Sequence, residues 1–192
     1  ARIAKDGQWR FPHQAIVPDK FIHAITEFED RRFFYHPGID PIGIGRAFVQ
    51  NIRSGKVVSG GSTITMQVIR LARKGKSRTI GEKLIEFVLA TRLEIGYSKQ
   101  EILAFYAANA PFGGNVVGLD AAAWRYYGKK PKLLSWAEAA TLAVLPNSPA
   151  LIHPGRNRAA LLAKRNRLLD RLYQKDEINP LDITKEIGRH QL

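Results

Sequence analysis

The sequence predicts a mainly α-helical fold. No stretch of useful length alternates apolar and polar residues as a half-buried strand does, and there is no internal repeat. Apolar residues recur instead at helical spacing, bracketed by start and stop signals. Ser98-Lys99-Gln100-Glu101 and Ser135-Trp136-Ala137-Glu138 are capping boxes, and Asp40-Pro41 opens a helix that Gly55 closes.

In chain order, residues 1–17 form an arm with a turn at Asp6-Gly7. A helix runs from Asp19 to Phe34 with Ile22, Ile25 and Phe33 on its apolar face. The loop YHPGID leads to the helix between Asp40 and Gly55, followed by a Gly-rich loop from Val57 to Gly61. Ser62 or Thr63 caps the next helix, which runs to about Arg73. Lys74 to Ser77 is a basic loop, and a long helix spans Thr79 to Ile95. The first capping box opens a helix that gives way to an irregular segment from Asn109 to Gly118. A short helix from Ala121 to Tyr127, an Ala-rich helix ending near Leu145, a Pro-rich loop from Pro146 to Pro154 and a basic helix from Asn157 to Tyr173 complete the pattern. The 192 residues are enough for one domain with a sizeable core, comprising the arm, a core over 18–173 and a tail over 174–192.

The net charge of +13 and a pI near 10.2 call for an anionic partner: nucleic acid, anionic lipid or a phosphorylated substrate. A generic basic surface is the plain alternative. Aromatics are not interleaved with the cations as a base-stacking platform requires, which argues against nucleic acid. The absence of cysteine excludes disulfides and thiolate catalysis. No run approaches the ~18 apolar residues of a membrane span, so any anchor is expected outside this segment.

Two carboxylates stand out. Glu29 lies on the apolar stripe of the first helix, while Glu27 and Asp30 are expected to point away. Glu86 is the sole ionisable residue between Lys83 and Arg92, on a helix apolar nearly all round and therefore expected to be buried. Each has two readings: a paired structural carboxylate, with Arg31 or Arg32 the candidate partners of Glu29, or an acid/base group at a sugar or phosphate centre. Between them, Gly60-Gly61-Ser62-Thr63 at a helix start is a candidate anion cradle, followed by Arg70, Arg73, Lys74, Lys76, Arg78 and Lys83. Phosphate-loop, dinucleotide, zincin, Asp-x-Asp and Ser-x-x-Lys signatures are absent, and the five histidines have no metal-ligand spacing.

The ordered segments ITEFEDRRFFYHPGIDP, GGSTITMQVIR, EKLIE and KQEILAFYAANAPFGGNVVGLDAAAWRYYGK closely resemble the peptidoglycan glycosyltransferases, family 51 of glycosyltransferases, the polymerase module of class A penicillin-binding proteins. DGQWRFP near the start is similar to their 1C branch. The resemblance implies a lysozyme-like helical fold with a larger head lobe and a smaller membrane-proximal lobe. It implies that Glu29 is the catalytic base, flanked by Asp30, Phe33 and His36. Ser62, Thr63, Gln67 and Arg70 would bind substrate. Arg78, Lys83 and Glu86 would face the donor diphosphate, with Glu86 as a second catalytic carboxylate and a candidate ligand for Mg²⁺ or Mn²⁺. Asn109 and Gly113 match a fourth motif and Glu138 a fifth.

The implied substrates are lipid II and the growing glycan strand at the periplasmic face of a bacterial inner membrane. A transpeptidase domain is expected beyond Leu192. The segment from Ile42 to Val58, with Ile44, Phe48, Val49 and Ile52 among Arg46, Arg53 and Lys56, is a candidate to dip into lipid; an ordinary core-facing helix is the other reading. Met66, Glu82 and Ala104 depart from the family pattern. A lysozyme-like lytic enzyme and a catalytically weak lipid-binding module remain rival readings.

Overall fold

The computed structural model describes residues 2–3, 7–11, 16–56, 60–73, 79–146 and 157–179. Eight α-helices carry the described fold: α1 (Asp19–Glu29), α2 (Pro41–Ser54), α3 (Ile64–Ala72), α4 (Ile80–Gly96), α5 (Lys99–Asn109), α6 (Leu119–Tyr127), α7 (Trp136–Val144) and α8 (Arg158–Gln174). The only described strands, β1 (Arg2–Ile3) and β2 (Trp9–Arg10), pair antiparallel with Ile3 opposite Trp9. The mainly α expectation holds, with the arm adding one short ribbon.

The chain divides into two compact units, one of residues 1–28 with 107–192 and one of residues 29–106. The first is built around α7. Every residue of α7 except Trp136 is buried, and its alanines let neighbouring backbones come close. Leu161, Leu168, Leu169 and Leu172 of α8 pack on it, and Leu119 and Ala121 to Ala123 supply the buried face of α6. Ser135 and Glu138 close the expected capping box, and Glu138 also takes Lys129 Nζ at 2.7 Å. Glu138 is thus engaged as a helix cap.

The second unit is an α2–α5 cluster around Phe33, Ile64, Met66, Ala90, Ile102, Leu103 and Tyr106, all nearly inaccessible. Thr63 caps α3 and Thr79 caps α4, each accepting from an amide in the first turn. Gly55 ends α2 in the left-handed conformation. Asp40 sits at the N-cap of α2 but makes no side-chain cap bond. Two glycines permit close approach. A Cβ at Gly38 would lie 2.7 Å from the Ala90 carbonyl oxygen on α4, and one at Gly61 would lie 2.9 Å from Ile44 Cα on α2.

Three expectations need correction. The first helix ends at Glu29 rather than Phe34, and a 3-10 turn follows at Phe33–Tyr35. Its cause is Asp30, whose carboxylate accepts the Ile64 amide and bonds the His36 ring instead of continuing a helix. Glu27 and Asp30 do not point away: they are 4 % and 6 % exposed. Burial is sustained by partners, Lys175 Nζ at 2.6 Å from Glu27 and His36 with Ile64 for Asp30.

Nor is α4 buried all round, since Ile80, Leu84 and Val88 are 83, 58 and 69 % exposed. They form an i, i+4, i+8 stripe left uncovered because α4 packs one side on α3. Likewise α2 buries only Ala47 and exposes Ile42, Phe48, Val49 and Ile52, which sets aside the core-facing reading of that helix. Val57 and Val58 lie outside the described residues.

Candidate active site

The polar chemistry concentrates in residues 29–106. Glu29 is the last residue of α1 and is half-buried. Asp30 leaves the helix and becomes a buried anchor, its Oδ2 accepting the Ile64 amide at 3.0 Å and its Oδ1 lying 3.0 Å from His36 Nε2. The first turn of α3 is thereby tied to the chain leaving Glu29. Thr63 reinforces the tie, its hydroxyl donating to the Gly38 carbonyl at 2.6 Å while accepting the Met66 amide.

Beneath this turn, Lys99 Nζ donates to the His36 carbonyl at 2.7 Å and to Glu94 Oε1 at 2.8 Å, 4.4 Å above the Phe33 ring. Asp30, Phe33 and His36 are therefore frame residues turned into the protein.

With α3 so placed, successive turns present a row of polar groups. Gln67 Nε2 donates to Glu29 Oε2 at 3.0 Å. One turn on, Arg70 grips Glu86 with two charge-assisted bonds, Nε to Oε1 at 2.8 Å and Nη2 to Oε2 at 2.6 Å, and its Nη2 also reaches Ser62 Oγ at 3.3 Å. The hydrogen bond it donates to Glu86 holds the Arg70 guanidinium above its ordinary range, against the opposing effect of burial; the charges of Glu86 and Glu29 add to it. One guanidinium thus feels both carboxylates that stood out in the sequence. The paired reading of Glu86 is correct, and its partner is itself a member of the expected site.

Lys83 is exposed, with Nζ 5.9 Å from the Phe87 ring centroid. Arg78 lies outside the described residues. Asn109 ends α5, is exposed, and belongs with Gly113 to the other unit. A cavity of about 350 Å³ in that unit, lined by Phe11, Val17, Val117, Leu119 and Pro131 among others, contains none of the expected site residues. Glu29, Gln67, Arg70, Lys83 and Glu86, the expected site residues with charged or hydrogen-bonding side chains near one another, lie within residues 29–106.

A sequence model of the family described as Transglycosylase matches residues 3–173. The chain belongs to the transglycosylase family. Among relatives of the chain, Penicillin-binding protein 1C of Escherichia coli is 45 % identical over 87 % of the chain. Penicillin-binding protein 1A of Aquifex aeolicus is 38 % identical over 90 %, and that of Pseudomonas aeruginosa 39 % over 82 %. The chain spans 22, 24 and 19 % of the lengths of these three relatives.

The structure accounts for the chain's departures from the family pattern. Met66 and Ala104 are core residues, where a polar side chain would need a buried partner. Glu82 is held by Arg73, Nη2 to Oε2 at 2.9 Å. Sequence reasoning missed this pair, although both residues were in view: Arg73 in the basic cluster and Glu82 as a lost cation. It also missed Glu94 and Lys99, whose pairing depends on the turn between α4 and α5 and has no periodic signature.

Among the described residues, no three of His, Cys, Asp and Glu gather to hold a metal ion. Glu86, the candidate ligand, gives both oxygens to Arg70. To take a divalent ion Glu86 would have to give up one or both of these bonds.

Proposed function

We propose that the chain is a peptidoglycan glycosyltransferase that polymerises lipid II. The observation that carries this reading is the row Glu29–Gln67–Arg70–Glu86, in which one carboxylate is oriented by an amide and a guanidinium lies within reach of its charge. Glu29 takes the proton from the 4-hydroxyl of the acceptor GlcNAc. The oxygen attacks the anomeric carbon of the donor MurNAc from the face opposite its lipid diphosphate. A β-1,4 bond forms with inversion, the anomeric C–O bond breaks, and undecaprenyl diphosphate leaves with the bonding pair.

Gln67 holds Glu29 in one orientation, which removes a conformational cost from the proton transfer. Negative charge develops on the leaving diphosphate, and Arg70 and Lys83 supply positive charge where it grows. Glu86 fixes the guanidinium of Arg70, which would otherwise be a flexible surface group. This assigns Glu86 to electrostatic positioning.

Membrane association follows from the same unit. The exposed apolar residues of α2 lie among Arg46, Arg53 and Lys56, and α4 adds the Ile80–Leu84–Val88 stripe. Such surfaces suit an anionic bilayer, where a lipid-anchored substrate is found. Among the described residues no helix is long and apolar enough to cross a membrane. The proposed setting is the periplasmic face of a bacterial inner membrane, with a transpeptidase domain in the same full-length protein.

The test is to incubate the chain separately with lipid II and with isolated cell-wall sacculi. Glycan polymer from lipid II, with sacculi untouched, is the expected outcome. Digestion of sacculi without polymerisation would establish a lytic enzyme, and binding of lipid II without elongation would establish a binding module.

A further inference from the structure

Arg70 lies in the last turn of α3 and Arg73 caps its C-terminus, while Glu82 and Glu86 stand one turn apart on α4. They meet as two rungs, Arg70 with Glu86 and Arg73 with Glu82. The rungs differ in burial. The arginines are alike, Arg70 at 34 % and Arg73 at 30 % side-chain exposure, but Glu86 is enclosed at 10 % while Glu82 is 21 % exposed and freer to swing away. Glu82 grips Arg73 through three contacts: Nη2 to Oε2 at 2.9 Å, Nη2 to Oε1 at 3.2 Å and Nε to Oε2 at 3.3 Å. Nε and Nη2 share Oε2, a looser grip than the two parallel bonds of Arg70 to Glu86, and it engages the guanidinium edge that binds two oxygens of a phosphate.

We propose that Glu82 is a built-in competitor for the diphosphate of the lipid-linked substrate, occupying the Arg73 fork until the ligand displaces it, and so sets donor affinity. The inference rests on the glycosyltransferase reading and deepens it. Neither residue touches the base Glu29 in the described contacts; their effect is on binding and release. A carboxylate carries less charge than a diphosphate and presents two oxygens, so the incoming group can outcompete it. The exchange conserves Arg73's bonds and expels Glu82 toward solvent. A site tuned this way releases its diphosphate product more readily than one with an uncommitted arginine.

The experiment measures affinity for inorganic pyrophosphate by calorimetric titration for the wild type, E82Q, R73Q and the R73Q/E82Q double variant at one ionic strength. Thermal melts of each verify folding, and E82A serves as a second variant at the same position. Lipid II polymerisation by the wild type is followed in parallel.

The expected result is about tenfold tighter pyrophosphate binding by E82Q and E82A. R73Q should bind more weakly than the wild type, and the double variant should lose the whole E82Q gain. Unchanged or weaker binding by both Glu82 variants overturns the inference. So does a gain that survives in the double variant, which would assign it to net charge alone. A wild type that polymerises lipid II while the Glu82 variants leave affinity unmoved refutes this inference but keeps the glycosyltransferase reading. Tighter E82Q binding that needs Arg73, in a chain that never polymerises, does the reverse.

Discussion

Gln67 Nε2 and Glu29 Oε2 are joined by a 3.0 Å hydrogen bond between helix α3 and the last residue of α1. The amide can only donate through this nitrogen, so it orients the carboxylate while leaving it a base. Replacing Gln67 with Leu removes the donor at similar volume. Steady-state kinetics with lipid II should show kcat lowered by about tenfold or more, with KM little changed. A raised KM at constant kcat would assign Gln67 to substrate binding instead.

Asp30 carries the frame of the site. Asp30→Ala leaves the Ile64 amide and the His36 ring without their acceptor in a buried place. A loss of about 3 kcal/mol follows, equivalent to a fall in Tm of roughly 6–12 °C for a chain of this size. Differential scanning calorimetry checks it, and a melting point within a degree of wild type would contradict the anchoring role.

Alkaline stability should depend on Tyr127. Burial pushes its phenol up to about 12, against a side-chain hydrogen bond with Thr141 that lowers it. In the unfolded chain the phenol titrates near its ordinary value of 10.0. The folded state therefore holds the proton more tightly. Its stabilising contribution is complete below pH 10 and is lost as the pH rises through about 12. After allowance for partial exposure the loss is about 2 kcal/mol. Denaturant unfolding between those pH values should show a shallower decline for Tyr127→Phe than for wild type; identical slopes would contradict the assignment.

Membrane binding should reside in α2 and α4. Phe48→Asp with Ile52→Asp places charge on an exposed apolar face without touching the core. Co-sedimentation with anionic phospholipid vesicles should fall at least tenfold, with the melting temperature preserved. Retained binding would place the lipid contact elsewhere.

The helices were legible because their boundaries are written in local chemistry: Thr63, Thr79 and Ser135 cap where a hydroxyl precedes an apolar run. Glu29 and Glu86 were legible as carboxylates among apolar neighbours. Their partners were not, because Gln67 and Arg70 reach them across 38 and 16 residues of chain, and periodicity carries no information on tertiary contacts. Asp30 misled for the same reason. Its position on a helix template points outward, but its bonds to Ile64 and His36 break the helix and turn it inward. The exposed stripe of α4 was misread because an apolar helix with one face left uncovered and one buried in a core read alike in sequence.

The most direct measurement is lipid II polymerisation by the wild type and by Glu29→Gln, with lipid II binding measured on both. The amide keeps the shape of the side chain and cannot accept the proton. Polymerisation should fall by about 10²–10⁴-fold while binding stays within a few-fold of wild type. Glycan chains made by Glu29→Gln at the wild-type rate would contradict the assignment of Glu29 as the base.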